Sequence, residues 1–272
     1  MTHEEFHGKV VAITGAAGGI GQELCAYFSA AGAAIAALDR SDTVAGVADR
    51  LRHTGATVEQ AVADIGDARA VASAFDAMTR ALGPVDILIN NAGATLSPTL
   101  ERTTPESFQE DVNANLNGAF NCAHAVVPAM KARRAGVIVN IGSVNGLSAF
   151  GDPAYSAAKA GLISLTRSLA MELGPYNIRA NVICPGTVRT PIWTERLKRR
   201  PELLKELERW YPLGRIVEPI EVTRAVAFLA SDAASAITGV MLPVDCGLMA
   251  GNIVMTREVI VENSDAPRLR QS

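Results

Sequence analysis

Thr14-Gly15-Ala16-Ala17-Gly18-Gly19-Ile20-Gly21 follows the apolar run Val10-Val11-Ala12-Ile13 and leads without a break into the helical pattern Gln22-Glu23-Leu24-Cys25-Ala26. A strand, a glycine-rich turn and a helix start are thus compressed into one short stretch. The spacing is GxxxGxG rather than the commoner GxGxxG, but the physics is shared. Glycines let the backbone turn tightly and approach a pyrophosphate, while the helix N-terminus offers free N–H groups and the positive end of its dipole. A glycine cluster alone is often only a tight turn. Its position between strand and helix makes Gly15, Gly18, Gly19, Ile20 and Gly21 candidate cofactor-binding residues.

The same alternation continues outward along the chain. Short β-branched runs at 9–14, 33–38, 57–63, 85–90, 137–141, 178–183 and 240–244 read as strands. Between them, 19–31, 43–54, 67–82, 105–134, 153–174 and 218–231 read as helices. Strands that are nearly all apolar, each followed by a helix, predict a parallel sheet covered on both faces. The expected fold is a Rossmann-type doubly wound α/β sheet of about seven strands, with residues 1–272 forming one domain. One stretch departs from the pattern: 191–217 is charged, punctuated by proline, and carries both tryptophans, Trp193 and Trp210. Leu203, Leu204, Leu207 and Trp210 fall on one helical face there and Lys198, Arg199, Arg200, Glu202 and Glu206 on the other, which predicts an amphipathic insertion over the sheet edge, equally a lid or a surface helix docked by its apolar stripe.

Composition narrows the function classes. A chain of 272 residues can bury a sizeable core without disulfides or metals. Its 49% hydrophobic and 19% charged residues describe a globular protein, not a disordered one. A formal net charge of −3 supplies no attraction for nucleic acid or an anionic membrane. No apolar run approaches the roughly 18 residues needed to span a bilayer, and the N-terminus has no signal-peptide core, so a cytoplasmic location is expected. Cys25, Cys122, Cys184 and Cys246 form no CxxC pair and read as buried thiols in a reducing compartment. The four histidines never take HExxH spacing, so no metal site is expected.

At the end of the second strand, Asp39 can accept hydrogen bonds from adenosine ribose hydroxyls, and its charge would oppose a 2′-phosphate. Arg40 follows directly and could pair with such a phosphate, so the reading favours NAD over NADP without closing the question. Asp64 and Ile65 after the third strand, and Asn91, Ala92 and Gly93 after the fourth, extend the carboxyl edge where open α/β sheets bind ligands. Methyltransferases also combine a glycine loop with an acid after the second strand, so this half alone does not establish redox chemistry.

The chemistry is carried by Ser143, after the fifth strand, and by Tyr155-Ser156-Ala157-Ala158-Lys159 at the start of the next helix. Tyr155 and Lys159 stand at i and i+4, on one helical face. Oxidising a secondary alcohol needs a base for the hydroxyl proton, and a free tyrosine is mostly protonated at neutral pH. Lowering its pKa by about three units takes about 4 kcal/mol of differential interaction, a large part of which Lys159 is expected to supply. Asp152-Pro153 reads as an N-cap followed by proline at the first helical position, which puts Tyr155 in the first turn, where the dipole favours an anion. The charge of Asp152 itself opposes this. Ser143 can hold the substrate oxygen. An isolated YxxxK is an ordinary helix face; Ser143 and the glycine loop change its meaning.

From residue 9 to residue 247, the sequence resembles the short-chain dehydrogenase/reductase family. The motifs run in family order: Thr14-Gly15-(x)3-Gly19-Ile20-Gly21, Asp64, Asn90-Asn91-Ala92-Gly93, Asn115, Ser143, Tyr155-(x)3-Lys159 and Pro185-Gly186. The resemblance implies a catalytic tetrad of Asn115, Ser143, Tyr155 and Lys159, with Asn115 holding a water in a proton relay to Lys159, and Asn113 and Asn117 structural or solvated. It implies further that Tyr155, Lys159, Pro185, Gly186, Val188 and Thr190 contribute to binding the cofactor. It also implies a homotetramer or homodimer assembled through the helices at 105–134 and 153–174. Three features depart from the common pattern: Gly142 precedes Ser143 where a second serine is frequent, Asp245-Cys246-Gly247 carries a thiol where glycine is usual, expected to be buried, and 25 residues follow Gly247. This extension, 248–272, is expected to cross an oligomer interface or line a neighbouring pocket, with its last ten residues polar enough to be partly disordered.

These readings converge on an NAD-dependent oxidoreductase that interconverts a secondary alcohol and a ketone. An NADP-dependent carbonyl or 3-oxoacyl reductase is the alternative within the class. A non-catalytic NAD-binding regulator is the alternative outside it, although such a protein has little reason to keep the whole tetrad. Ser143, Asn145 and Trp193 are the candidate substrate contacts, with Phe150, Ile192, Trp210 and Tyr211 nearby. Arg189, Arg196, Lys198, Arg199 and Arg200 would suit an anionic substrate, and a solvated helix face explains most of them equally well. A polyol, sugar, cyclic alcohol or hydroxyacyl substrate all fit.

Overall fold

In a computed structural model that describes residues 5–260, seven strands form one parallel sheet in the order β3-β2-β1-β4-β5-β6-β7. They are β1 (Val10–Thr14), β2 (Ala34–Asp39), β3 (Val58–Val62), β4 (Ile87–Asn90), β5 (Gly136–Ile141), β6 (Ile178–Pro185) and β7 (Met241–Val244). Every predicted strand is present, with ends shifted by at most two residues. The central strands β1 and β4 are buried along their whole length, while β3 and β7 at the edges are partly exposed. Pro243, which has no N–H to give a ladder, is accommodated in the edge strand β7.

Alternation along β1 feeds two apolar layers. Val11 and Ile13 pack with Leu24 and Phe28 of α1 (Gly19–Ala30), Val47 of α2 (Val44–His53) and Val222 and Val226 of α9 (Pro219–Ala230). Val10 and Ala12 pack on the other face with Phe75 and Met78 of α3 (Ala68–Leu82), Met130 of α5 (Gly118–Arg133) and Ala170 of α6 (Pro153–Leu173). Strand order reverses between β1 and β4, and the crevice beyond their carboxyl ends is where such sheets receive ligands.

Two predicted helices depart from expectation. The stretch 105–134 is not one α-helix: α4 (Pro105–Val112) passes into a π turn at Asn113–Asn117 before α5 begins. The lid stretch forms two short helices, α7 (Thr194–Arg199) and α8 (Leu203–Glu208), instead of one stripe. Leu204 and Tyr211 are its buried anchors, whereas Trp210, expected on the apolar face, is 44% exposed. The helix α8 ends at Glu208, so Trp210 lies in the turn beyond it and the helical spacing that groups it with Leu203, Leu204 and Leu207 no longer applies. Cys25, Cys122 and Cys184 are buried; Cys246 is only half-buried, at φ +51°, in the left-handed region where glycine is the easier residue. The last ten residues, read as polar and disordered, lie outside the described residues.

A buried polar chain ties the sheet to its helices. Asn90 Nδ2 on β4 donates to Asn140 Oδ1 on β5 at 2.9 Å and to the Ala119 carbonyl at 3.2 Å. Asn140 Nδ2 donates to Thr166 Oγ1 at 2.8 Å, and that hydroxyl donates to the Leu162 carbonyl of α6. Removing one partner strands the others away from water, which costs about 1–3 kcal/mol per buried group. Asn140→Leu, close in volume, is therefore expected to lower the unfolding free energy by about 2 kcal/mol. Urea denaturation checks this, and an unchanged midpoint would show that the network contributes nothing.

Candidate active site

Two adjoining cavities open along the carboxyl edge of the sheet. The smaller, about 490 Å³, is lined by Gly15, Gly18, Gly19 and Ile20, by Asp39 and Arg40, by Asp64 and Ile65, and by Asn91, Ala92 and Gly93. The larger, about 860 Å³, is lined by Ser143, Asn145, Tyr155, Gly186, Val188 and Trp193 among others. Ile20, Thr190 and Ile192 face both, so the two cavities share a wall.

Local conformation builds the smaller cavity. Gly15 turns at φ +65°, and a Cβ on Gly21 would lie 2.0 Å from the Gly15 carbonyl oxygen, so the helix start can sit directly on the turn. Gly21 therefore packs beneath the loop and does not line the cavity. Thr14, for which the sequence suggested no role, fastens the neighbouring loop: its Oγ1 accepts from the Asn91 and Ala92 N–H groups, each at 3.0 Å. Asn91 Nδ2 in turn donates to the Thr14 and Gly15 carbonyls. Asp39 accepts from Ala17 N with one oxygen and from Ser41 N with the other, both at 2.9 Å. Each carboxylate oxygen keeps a second lone pair for a ligand hydroxyl. Arg40 is exposed and forms no ion pair among the described residues.

Behind the larger cavity lies a buried polar seam. Lys159 is 3% exposed; its Nζ donates to the Ile141 carbonyl at 2.8 Å and stands 5.5 Å from the Tyr155 ring centre. The π turn brings Asn115 to the same place, with Nδ2 donating to the Ala94 carbonyl at 2.6 Å and to the Asp111 carbonyl at 2.8 Å. Asn115 Oδ1 is buried and has no hydrogen-bond partner among the described residues. A Cβ on Gly93 would come within 2.7 Å of that oxygen and 3.3 Å of Lys159 Nζ, so only glycine leaves room there. Asn113 and Asn117 lie on the exposed side and bond to each other. Pro185 is buried at the end of β6 and reaches neither cavity.

Ser143 Oγ sits within hydrogen-bond reach of the Tyr155 phenol and accepts from Asn145 N at 3.1 Å. Asn145 is held in turn by the Ser156 hydroxyl. The expected depression of the Tyr155 pKa is not found. Burial raises it above its ordinary value of 10, the Ser143 hydrogen bond lowers it, and the charge of Asp152 raises it again. The physical reason is that desolvation of the buried phenol outweighs the Ser143 hydrogen bond, while the Lys159 ammonium is directed at the Ile141 carbonyl and is itself pushed down to about 8 by burial. Asp152 stands at the N-cap position as expected, but with φ +47° and no capping bond; its carboxylate accepts from Thr95 Oγ1 instead. Leu248 of the C-terminal extension lines the larger cavity, and Glu258 pairs with Arg209, next to α8. The described part of the extension, 248–260, thus lies against the 191–217 stretch of its own chain.

The family model described as Enoyl-(Acyl carrier protein) reductase matches residues 15–249. The chain belongs to the short-chain dehydrogenase/reductase family. It is 43% identical to an uncharacterized oxidoreductase, C922.06, of Schizosaccharomyces pombe, over 95% of this chain and 97% of that one. It is 40% identical to galactitol 2-dehydrogenase (L-tagatose-forming) of Cereibacter sphaeroides, over 88% of this chain and 94% of that one. It is 38% identical to 3-oxoacyl-[acyl-carrier-protein] reductase FabG of Thermotoga maritima, over 90% of this chain and 99% of that one. A solved short-chain dehydrogenase/reductase from Burkholderia thailandensis superposes with a TM-score of 0.86 at 48% identity, covering 93% of this chain and 98% of that one. As a short-chain dehydrogenase/reductase the chain is an oxidoreductase of the class that acts on CH–OH groups and binds a nicotinamide cofactor. None of its described helices is long and apolar enough to cross a membrane.

Because Lys159 is held near 8 when folded and near 10.5 when unfolded, the unfolded chain binds the extra proton between those values. Stability from this position therefore rises as pH increases from about 8 to 10.5. Relative to a Lys159→Met variant, the wild-type protein is expected to gain unfolding free energy between pH 7 and pH 10. Urea midpoints of both proteins at the two pH values test this; a difference that does not change with pH contradicts it.

Proposed function

We propose that this short-chain dehydrogenase/reductase interconverts a secondary alcohol and its ketone with NAD, using Tyr155 as general acid/base. The observation that carries the reading is the meeting of the Ser143 and Tyr155 hydroxyls on the wall of one cavity, beside a glycine-lined cavity that shares Ile20 and Thr190 with it. Two hydroxyls directed at one oxygen suit a C–OH/C=O exchange.

Gly15, Gly18 and Gly19 allow close approach of a pyrophosphate, Asp39 receives the adenosine ribose, and Thr190, between the cavities, meets the nicotinamide end. The dinucleotide supplies a ring carbon that takes or gives a hydride. In the oxidative direction Tyr155 Oη takes the proton of the substrate hydroxyl as the carbon–hydrogen bond electron pair leaves as hydride. In the reductive direction the same phenol returns the proton. Ser143 Oγ holds the substrate oxygen and stabilises the phenolate. Lys159 contributes positive charge behind the ring, and Asn115 Oδ1, a buried acceptor with no partner among the described residues, fits a water-mediated proton path to Lys159 Nζ.

NAD is favoured because Asp39 is fixed by two backbone N–H groups and would face a 2′-phosphate at close range. Arg40, unpaired at the rim of that cavity, supports NADP as the second reading. For assembly we propose a homodimer or homotetramer through α4–α5 and α6, which leave Phe108, Phe120 and Met171 exposed. One domain spanning the chain, with 191–217 as a lid, is part of the same proposal.

Tyr155→Phe is expected to lower kcat by a factor of about 10²–10⁴ while leaving the Kd for NAD unchanged. A panel of alcohols and polyols, followed through NADH absorbance, supplies the substrate for that measurement. Undiminished turnover in the variant refutes the role of the phenol. The Kd for NAD is expected to be lower than that for NADP, and Asp39→Ser is expected to narrow or reverse the difference. Tighter binding of NADP by the wild-type protein rejects the cofactor assignment.

A further inference from the structure

The larger cavity is lined mainly by apolar and aromatic groups, including Phe150, Trp193, Trp210, Tyr211 and Leu248. Its charged lining residues are Asp152 and Arg196. The basic residues of the lid and its flanks are otherwise largely neutralised. Arg189 pairs with Glu208 and Glu218, Lys198 with Glu195, Arg200 with Glu206, Arg209 with Glu258 and Arg215 with Glu221. Among the described residues, Arg196 alone combines a guanidinium without a carboxylate partner with a place on the cavity wall.

That guanidinium is not loose. It stacks 5.3 Å from the centre of the Trp193 ring, and Trp193 Nε1 donates to the Val188 carbonyl at 2.9 Å, which fixes the indole at the base of the lid. Stacking restrains the plane of the fork while leaving its edge N–H groups free, the geometry that receives a carboxylate in two parallel hydrogen bonds. The one acid of the cavity, Asp152, lies a turn before Tyr155 and is held by Thr95 Oγ1 at 3.1 Å. An anionic group is repelled from the Tyr155 end and attracted to the lid.

We propose that Arg196 is a specificity-determining residue that binds the carboxylate of the substrate, so that the preferred substrates are hydroxy acids or oxo acids with an apolar body. This rests on the reading of the cavity as the substrate site and names the class of molecule that enters it. The hydroxyl or keto oxygen lies at Ser143 and Tyr155, the apolar body lies along the aromatic lining, and the carboxylate meets Arg196. A neutral polyol would leave the guanidinium without a partner.

The two tryptophans of the chain both line this cavity, so intrinsic fluorescence reports its occupancy without turnover. Titration with 4-phenylbutanoate and with 4-phenylbutanamide, in protein alone and with NAD, compares a carboxylate with a neutral group of similar shape. The wild-type protein is expected to bind the carboxylate about tenfold more tightly than the amide. Arg196→Met is expected to abolish that preference, and Arg196→Lys to keep part of it. Equal affinities in the wild-type protein, a preference that survives in Arg196→Met, or no quenching by the carboxylate overturns the proposal. Tyr155→Phe is expected to retain the carboxylate preference, so a failure of the redox reading is seen in turnover and a failure of the anion site in this titration.

Discussion

A lysine ammonium held almost out of reach of water is the constraint around which the polar seam is arranged. Lys159 Nζ has the Ile141 carbonyl as its acceptor, and burial takes its pKa down to about 8 against the opposing pull of Cys184. Keeping a group there that gains or loses a proton near neutral pH demands space and polar neighbours, and the chain supplies both by local exceptions. Gly93 has no side chain where a Cβ would crowd both Asn115 Oδ1 and Lys159 Nζ. Gly146 likewise permits the loop after β5 to lie on the Lys159 backbone, where a Cβ would come within 2.8 Å. The π turn at Asn113–Asn117 directs Asn115 inward and commits both its amide contacts to backbone carbonyls, leaving its oxygen turned to the seam.

How much of this can be read from sequence depends on whether the deciding physics is periodic or tertiary. The central strands are legible because buried parallel strands are continuous apolar runs, as in Val10–Thr14 and Ile87–Asn90, whereas the edge strand Val58–Val62 carries Glu59 and Gln60 and is marked mainly by its place in the strand and helix alternation. The π turn is not legible: Asn-Ala-Asn-Leu-Asn reads as a polar stretch of ordinary helix, and the extra residue in the turn is stabilised by Asn115 reaching Ala94 and Asp111, from distant and neighbouring chain. Asp152-Pro153 signals a helix start correctly, yet the carboxylate turns to Thr95, 57 positions away, instead of capping. Trp210 satisfies the helical spacing, but Tyr211 is the buried ring because its hydroxyl accepts from Thr187 N at 2.9 Å. The sign of the Tyr155 shift is hidden for a related reason. Spacing puts a cation near the phenol but says nothing of desolvation, which is the larger effect.

Thr14 illustrates how the two cavities are kept in register. One hydroxyl at the end of β1 accepts two backbone N–H groups from the loop after β4, and Asn91 returns two bonds to β1 and its glycine turn. The glycine loop and the Asn91–Gly93 segment are therefore tied directly to each other. Because Gly93 also abuts Asn115 and Lys159, the floor of the smaller cavity is coupled by contact to the polar seam of the larger one.

The lid is joined to this body differently. Its two ends meet in a single parallel bridge between Val188 and Val217, reinforced by Arg189 N to the Val217 carbonyl at 2.8 Å and by Arg189 Nε to Glu218 at 2.8 Å. A loop closed at its base in this way holds its inner residues outside the sheet, so they can change without breaking the ladder of β6 to its neighbours. Surface ion pairs such as Lys198–Glu195 contribute little to stability, so the charge pattern there is cheap to alter. On the proposed reading of the larger cavity, the fold thereby separates what must stay fixed, the seam around Lys159 and the glycine loop, from what can vary, the wall formed by 191–217. Relatives that share the sheet and differ in substrate, a polyol in one and an oxoacyl group in another, are the expected outcome of that separation.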